Sequence, residues 1–135
     1  MMNNRLSKLC PCGLVKPYVE CCGTAHQHIA SAETCEALMR SRYTAFVQAN
    51  GDYLMVSHHS MTRRMVNKSE LIQWSQSVEW QKLEILKIVG GQKKDTEGIV
   101  EFKAHFKVGG KGEFIHEESK FVREFGHWVY FGVVQ

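Results

Sequence analysis

At 135 residues and 44% hydrophobic content, the chain is long enough for one globular domain with a modest core and at most a small appendage. It has no run of about eighteen apolar residues that would span a bilayer, and MMNNRLSKLC lacks the apolar stretch of a secretory leader, so a cytoplasmic location without a membrane partner is expected. The net charge of +3 comes from 17 basic and 14 acidic residues that are dispersed, with only short pairs such as Arg63-Arg64 and Lys93-Lys94, which argues against nucleic acid as a partner.

Residues 1–30 hold four of the five cysteines and both prolines and show no helical or strand periodicity. Such a segment needs stabilisation beyond its own apolar burial. In LCPCGLVKPYVECCG, Cys10, Cys12, Cys21 and Cys22 fall as two close pairs separated by a loop long enough to fold back on itself. That spacing suits a zinc ion held tetrahedrally by four thiolates, a closed structural site with no open position for activating water. The ion would supply the ordering energy. Gly13 and Gly23 follow the pairs, where the backbone has to turn around the metal with amides directed at sulfur. Arg5, Lys8 and Lys16 lie near enough in sequence to offset the negative charge of such a cluster. A disulfide staple and a thioredoxin-like redox site are the competing readings. A reducing compartment weighs against the first, and the absence of a C-x-x-C pair in a βα context weighs against the second. His26 and His28 are expected to be spectators where four thiolates are available.

From Glu33 to Asn50 the pattern is helical. Turning about 100° per residue gathers Cys35, Leu38, Met39, Phe46 and Ala49 into one apolar stripe centred on Arg42. Cys35 is expected there as a small core residue, and Asn50-Gly51 as the stop signal. A short second helix is expected over Asp52 to His58 with Asp52 as its cap, leaving His58 and His59 at the surface or as caps. Asn67 and Glu70, at capping-box spacing, open a third helix along which Leu71, Trp74 and Val78 follow at i, i+3 and i+7.

Beyond Val78 the character changes to strand. Glu79 to Val89, Gly98 to Val108, Gly112 to Phe125 and Trp128 to Val134 are separated by glycine turns. The second strand alternates Val100, Phe102, Ala104, Phe106 and Val108 with Glu101, Lys103, His105 and Lys107, so one face is core and the other is wet. His105 and, on the next strand, His116 are expected to be solvated. Helices followed by a meander of long antiparallel strands make an α+β arrangement, with the helices covering one face of a twisted sheet.

Arg42, at the centre of an apolar stripe, needs a partner, because an unpaired buried guanidinium costs several kcal/mol. On the third strand Ile115, Phe121 and Phe125 mark the apolar face, and Glu117, Ser119 and Arg123 share its parity. An Arg42–Glu117 pair between helix and sheet is therefore expected, with Tyr43 or Ser119 completing its hydrogen bonds. Two readings of the pair stand open: an architectural ion pair, or the polar floor of a pocket.

CPCGLVKPYVECCG resembles the SEC-C motif, the short zinc-binding element found at the end of the translocation motor SecA and in many other bacterial proteins, with Cys10, Cys12, Cys21 and Cys22 at its ligand positions. Leu14 and Val15 stand where the motif usually has small residues, and Pro17 where it usually has a basic one. LMRSRYTAFV, Leu38 to Val47, followed by DYL, Asp52 to Leu54, together with the order of the elements, resembles the YchJ family of small bacterial proteins over nearly the whole chain. The resemblance implies a SEC-C-type zinc-binding element over residues 1–30. It implies a domain of the nuclear transport factor two-like, or cystatin-like, class over 31–135, a cone in which a curved sheet wraps around helices. Such cones often keep a cavity used to bind small molecules or for acid-base chemistry. Some family members carry a second cysteine motif at the C-terminus, and functions that need it are not expected of a sequence that stops after its last strand.

Two functions follow. The favoured one is a non-enzymatic binding module: a zinc-stapled element that docks a protein partner, and a cone pocket for a small-molecule ligand with walls drawn from Arg42, Tyr43, Tyr53, His59, Trp74, Glu117 and Trp128. It rests on the closed zinc site and on the absence of a visible nucleophile-base-orienter arrangement. The alternative is a small hydrolase or isomerase with Glu117 or His59 as general base and Arg42 stabilising developing negative charge. The outer face of the sheet would also accommodate a homodimer.

Overall fold

The strand half of the chain folds as its alternation predicts. The computed structural model describes residues 8–134, so Arg5, expected to help offset the cluster's charge, lies outside the described residues. Strands β1 (Glu79–Gly90), β2 (Glu97–Val108), β3 (Lys111–Glu124) and β4 (His127–Val133) form one antiparallel sheet in chain order. Along β2, Val100, Phe102, Ala104 and Phe106 are buried while Glu101, Lys103 and His105 between them stay partly exposed; Val108, expected on the core face, is exposed at the strand's end, beyond the reach of the helices. Register shifts interrupt the ladders between Trp80 and Lys82, between Ile85 and Lys87, and between Lys120 and Phe121. Bulges of this kind bend a sheet, and here they let it curve around the helices. The outer face carries paired charges, His105 with Glu84 at 3.0 Å, His116 with Glu101 at 2.8 Å and Lys120 with Glu97 at 3.3 Å. Exposed pairs like these contribute little to stability.

Among the described residues five α-helices precede the sheet: α1 (Cys22–Gln27), α2 (Cys35–Val47), α3 (Gly51–Val56), α4 (Ser60–Arg63) and α5 (Lys68–Ser77). Thr34 caps α2 by accepting the Ala37 N–H at 3.1 Å, and Asn67 caps α5 by accepting the Glu70 N–H at 2.9 Å. The expected cap of α3 is corrected. Asn50, one residue before the helix, accepts the Tyr53 N–H at 3.0 Å; Asp52 lies in the first turn and bridges to Lys68 of α5 instead. The turn from α2 into α3 is made by Ala49 at φ 54°. α1 and α4 escape the sequence reading, α4 because it is a single turn capped by His59, whose Nδ1 accepts the Met61 N–H at 3.1 Å.

α2 lies in the concave side of the sheet, where Leu38, Leu54, Val100, Phe121 and Trp128 are sealed from solvent. Cys35 is buried as expected, at the start of α2. Its amide donates to Gly91 O at 2.9 Å, and a Cβ on Gly91 would come within 2.0 Å of the Cys35 sulfur. Only glycine allows the β1–β2 turn to pin the helix this closely. Phe125 is a correction. It sits at φ 55° beside Gly126 at φ 85° in the β3–β4 turn and is 82% exposed, so it does not belong to the apolar face. Two successive residues at positive φ are what a tight hairpin turn demands.

Candidate functional site

The cysteine cluster is assembled from three short local structures. Leu9 and Pro17 form an antiparallel bridge, reinforced by Cys10 N–H to Lys16 O at 2.8 Å and Tyr18 N–H to Lys8 O at 3.0 Å, which folds the first pair back on itself. Gly13 makes the turn at φ 101°. A single 3-10 turn, Tyr18–Glu20, then delivers Cys21 and the first residue of α1, Cys22. Gly23 is required for space rather than for a turn, since a Cβ there would lie 2.7 Å from Tyr18 O. The four Sγ atoms all lie within 4.8 Å of one another, and three of the residues are buried. Cys12 and Cys21 sulfurs are 3.6 Å apart, far beyond a disulfide bond of about 2.05 Å.

The thiols do not ionise independently. Bonds from the thiols of Cys12 and Cys22 hold Cys10 well below the ordinary range. Burial, and then the charge of Cys12, pushes Cys21 up to about 12. Cys22 is raised by its contacts with Cys10 and Cys12 and by burial. Four such sulfurs become thiolates together only when a cation neutralises them, so the donor set fits a metal ion.

The cluster is mounted on one face of α2. Arg40 donates from Nη1 to Cys12 O at 2.7 Å. The fully buried Thr44 hydroxyl donates to Cys22 Sγ at 3.4 Å and lies 3.7 Å from Cys10 Sγ. His26 Nε2 must donate to Ser41 O at 2.8 Å, because a carbonyl only accepts, which leaves Nδ1 to accept the Tyr18 hydroxyl at 2.7 Å. Burial lowers the His26 pKa and favours this neutral tautomer. His26, expected only as a spectator to metal ligation, has a structural role: it latches α1 to α2, with its ring centroid 4.5 Å from that of Tyr53.

The opposite face of α2 lines a cavity of about 160 Å³ between α2, α5 and the sheet. Phe46, Trp74, Trp80, Phe102 and Tyr130 form its aromatic walls, Met39, Ala104 and Ile115 complete the apolar lining, and Arg42, Tyr43 and Glu117 supply the polar groups. Trp74 and Trp80 stand edge to face, 5.4 Å apart at 82°, and Trp74 is 37% exposed at the cavity's margin. The expected direct Arg42–Glu117 pair does not form. Arg42 Nη1 instead donates to Leu54 O at 3.0 Å and Ser57 Oγ at 2.7 Å, and the guanidinium lies 4.7 Å above the Tyr130 ring. The last turn of α3 presents its carbonyl and the negative end of its dipole to the guanidinium, and the ring face adds a cation–π contact. Glu117 Oε1 accepts the Ser119 hydroxyl at 3.3 Å. Burial pulls the Arg42 pKa down to about 10, opposed by Tyr130, Tyr53 and Glu117, so it stays charged at neutral pH. Burial pushes Tyr43 up to about 12, leaving a neutral hydroxyl.

A family model described as "YchJ, middle NTF2-like domain" matches residues 34–132. The chain belongs to the YchJ family. A UPF0225 protein of Streptomyces coelicolor is 41% identical over 121 residues, covering 90% of each chain. Another, from Chromobacterium violaceum, is 43% identical over 122 residues, covering 90% of this chain and 88% of its own. The solution structure of a SEC-C motif containing protein from Rhodopseudomonas palustris superposes with a TM-score of 0.84 at 31% identity, covering 94% of this chain and 98% of that one.

In this YchJ-family chain the cone gathers only part of the pocket read from the sequence. Arg42, Tyr43, Trp74 and Glu117 share the cavity wall. Tyr53 lies outside it, with its hydroxyl 2.6 Å from Ser41 Oγ on the side of the cysteine cluster. His59 caps α4 and lies 3.5 Å from Glu124. Trp128 is wholly buried under Arg123 and donates from Nε1 to Glu33 O at 3.1 Å. His58, expected at the surface or as a cap, packs its ring 5.0 Å from Tyr130, and burial followed by the charge of Arg42 pushes its pKa down to about 4. The sequence reading missed Phe46, Trp80 and Tyr130 as cavity walls. Phe46 was legible in principle, one helical turn from Arg42 on the same stripe.

Proposed function

We propose that this chain is a non-enzymatic binding module, in which a structural zinc site of four cysteines staples the N-terminal element onto α2 and the cone cavity takes a small-molecule ligand. Tetrahedral Zn–S bonds of about 2.3 Å put sulfurs about 3.8 Å apart, close to the spacing of this cluster. A closed thiolate site leaves zinc no position for substrate, so the ion's contribution is the order of residues that α2 alone cannot hold. Exposed Leu9, Leu14, Val15 and Val19 on the same element, Val15 at 84%, support its use in docking a protein partner. Clustered reduced thiols favour the cytoplasm. The division at residue 30 is a proposal of the same kind: a SEC-C-type element before it, the cone after it.

One observation carries the preference for binding over chemistry. The described residues that line the cavity include a guanidinium and a carboxylate but no serine, threonine, cysteine, lysine or histidine. A covalent route through a serine or threonine hydroxyl, a thiol or an amine is therefore not available. Glu117 on the wall favours one second reading, an isomerase or hydrolase with that carboxylate as general base and Arg42 as the electrostatic stabiliser. His59 drops out of that reading because it caps α4 away from the cavity. Metal analysis of untagged protein is expected to find one zinc per chain; zinc near zero with every thiol reactive would contradict the staple. Ligand screening by tryptophan fluorescence is expected to find binding without turnover. Turnover that disappears in Glu117→Gln would decide for the enzyme.

A further inference from the structure

A guanidinium carries five donor hydrogens on three nitrogens. In Arg42, Nη1 is engaged by Leu54 O and Ser57 Oγ, while Nε and Nη2 find no protein acceptor among the described residues. No buried side-chain nitrogen or oxygen among the described residues lacks a partner. Nε and Nη2 therefore border open space, and the open space that Arg42 lines is the cavity. Across it, Glu117 accepts one bond from Ser119 and has lone pairs to spare. The two opposite charges share one apolar-walled volume without touching. In such surroundings unmatched polar groups are costly, and a third group that accepts from the guanidinium and donates to the carboxylate satisfies both.

The chemistry of that third group follows from charge and size. Arg42 and Glu117 cancel, so a neutral ligand leaves the cavity balanced. A carboxylate ligand would suit Arg42 but be repelled by Glu117, an amine would do the reverse, and a hydrocarbon would leave both unmatched. An apolar protein cavity of about 150 Å³ holds benzene, so 160 Å³ admits one ring and excludes a nucleotide. We propose that the cavity binds a neutral single-ring amide or lactam, with its carbonyl oxygen toward Arg42, its N–H toward Glu117 and its ring against Trp74, Trp80 and Tyr130. This rests on the cavity being the ligand site of the proposed binding module.

The test titrates the zinc-loaded full chain with benzamide, benzoate, benzylamine and toluene, following tryptophan fluorescence and indole NMR signals. Benzamide is expected to bind at least roughly tenfold more tightly than the other three, the size of a lost hydrogen bond to a charged group. Glu117→Gln, at a partly exposed position that tolerates an isosteric change, is expected to raise benzoate affinity by about tenfold while benzamide binding changes less, since the glutamine carbonyl still accepts the N–H. Benzoate, benzylamine or toluene binding the wild-type chain as tightly as benzamide would overturn the ligand class and leave the cavity as a binding site intact. If none of the four moves the Trp74 and Trp80 signals, both the class and the cavity reading fall.

Discussion

The two polar sites on opposite faces of α2 differ in what they leave unused. On the Arg40, Ser41 and Thr44 face, the side chains are occupied within the chain: Arg40 by Cys12 O, Ser41 by Leu38 O and the Tyr53 hydroxyl, and Thr44 by the Cys22 sulfur. On the Arg42 and Tyr43 face, a guanidinium and a carboxylate retain hydrogen-bonding capacity toward open volume. Saturation is the mark of architecture, because each of these side chains already has a partner within the chain. Residual capacity in a buried place is the mark of binding, because the protein tolerates its cost only where something else completes it. A row of cysteines draws attention first, yet by this criterion the site with work left to do is the one behind the helix.

The largest loss is expected at the cluster. Cys22→Ser is expected to abolish metal retention and to collapse amide-exchange protection over Cys10–Gln27, with a loss of several kcal/mol of ordering energy on the scale of structural zinc sites, while β2 and β3 stay protected. Persistent protection of α1 in that variant would mean that docking, not metal, orders the element. At the cavity, Arg42→Met removes the charged bonds to Leu54 O and Ser57 Oγ, leaving the Ser57 hydroxyl its bond to Tyr53 O, and is expected to cost about 2 kcal/mol in urea unfolding and to remove ligand binding. Between the two sites, His26→Phe keeps the ring beside Tyr53 but removes the bonds to Ser41 O and from the Tyr18 hydroxyl, which keeps only its 3.5 Å bond to Gln48 Oε1. A loss of about 1–2 kcal/mol is expected, together with weaker metal retention and an unchanged ligand affinity. A change in ligand affinity would show that the two faces of α2 are coupled.

The smallest effect concerns pH. His58 titrates lower in the folded chain, near 4, than in the unfolded chain, near 6.5. Above about 6.5 both states are neutral and the full stability is present. As pH falls from there toward about 4, the unfolded chain takes up a proton that the folded chain refuses, and stability declines. Because His58 is only half buried the loss is of the order of 1 kcal/mol. His58→Gln should flatten this part of the stability–pH curve, measured as the difference from wild type.

The sheet was legible because its information is local: the alternation along β2 and the glycines between strands carry register and turns without help from elsewhere. The cysteine cluster was legible for the same reason, and Asn67 with Glu70 announced α5. α1 was not, since its order comes from sulfur and from His26 reaching α2, contacts that leave no periodicity in residues 22–27. The two buried faces of α2 were half legible. Leu38, Met39 and Phe46 form a readable stripe, whereas Ser41 and Thr44 are sealed against another part of the chain and look like surface residues in sequence. Arg42 was correctly read as buried and wrongly paired, because its acceptor is a backbone carbonyl of α3, and a carbonyl has no sequence signature. Tyr130 shares the parity of Trp128 and faces inward with it, but whether an inward aromatic fills the core or walls a cavity depends on what packs opposite, which leaves no mark in the sequence.

The tryptophans report on the cavity separately from the rest of the core, since the chain has 3, two on the cavity and one buried elsewhere. With fluorine-labelled tryptophan in the zinc-loaded chain, benzamide is expected to shift the Trp74 and Trp80 resonances and leave Trp128 unmoved. Shifts confined to Trp128, or no tryptophan shift alongside perturbed amides at Cys10–Cys22, would place binding at the wrong site and contradict the account.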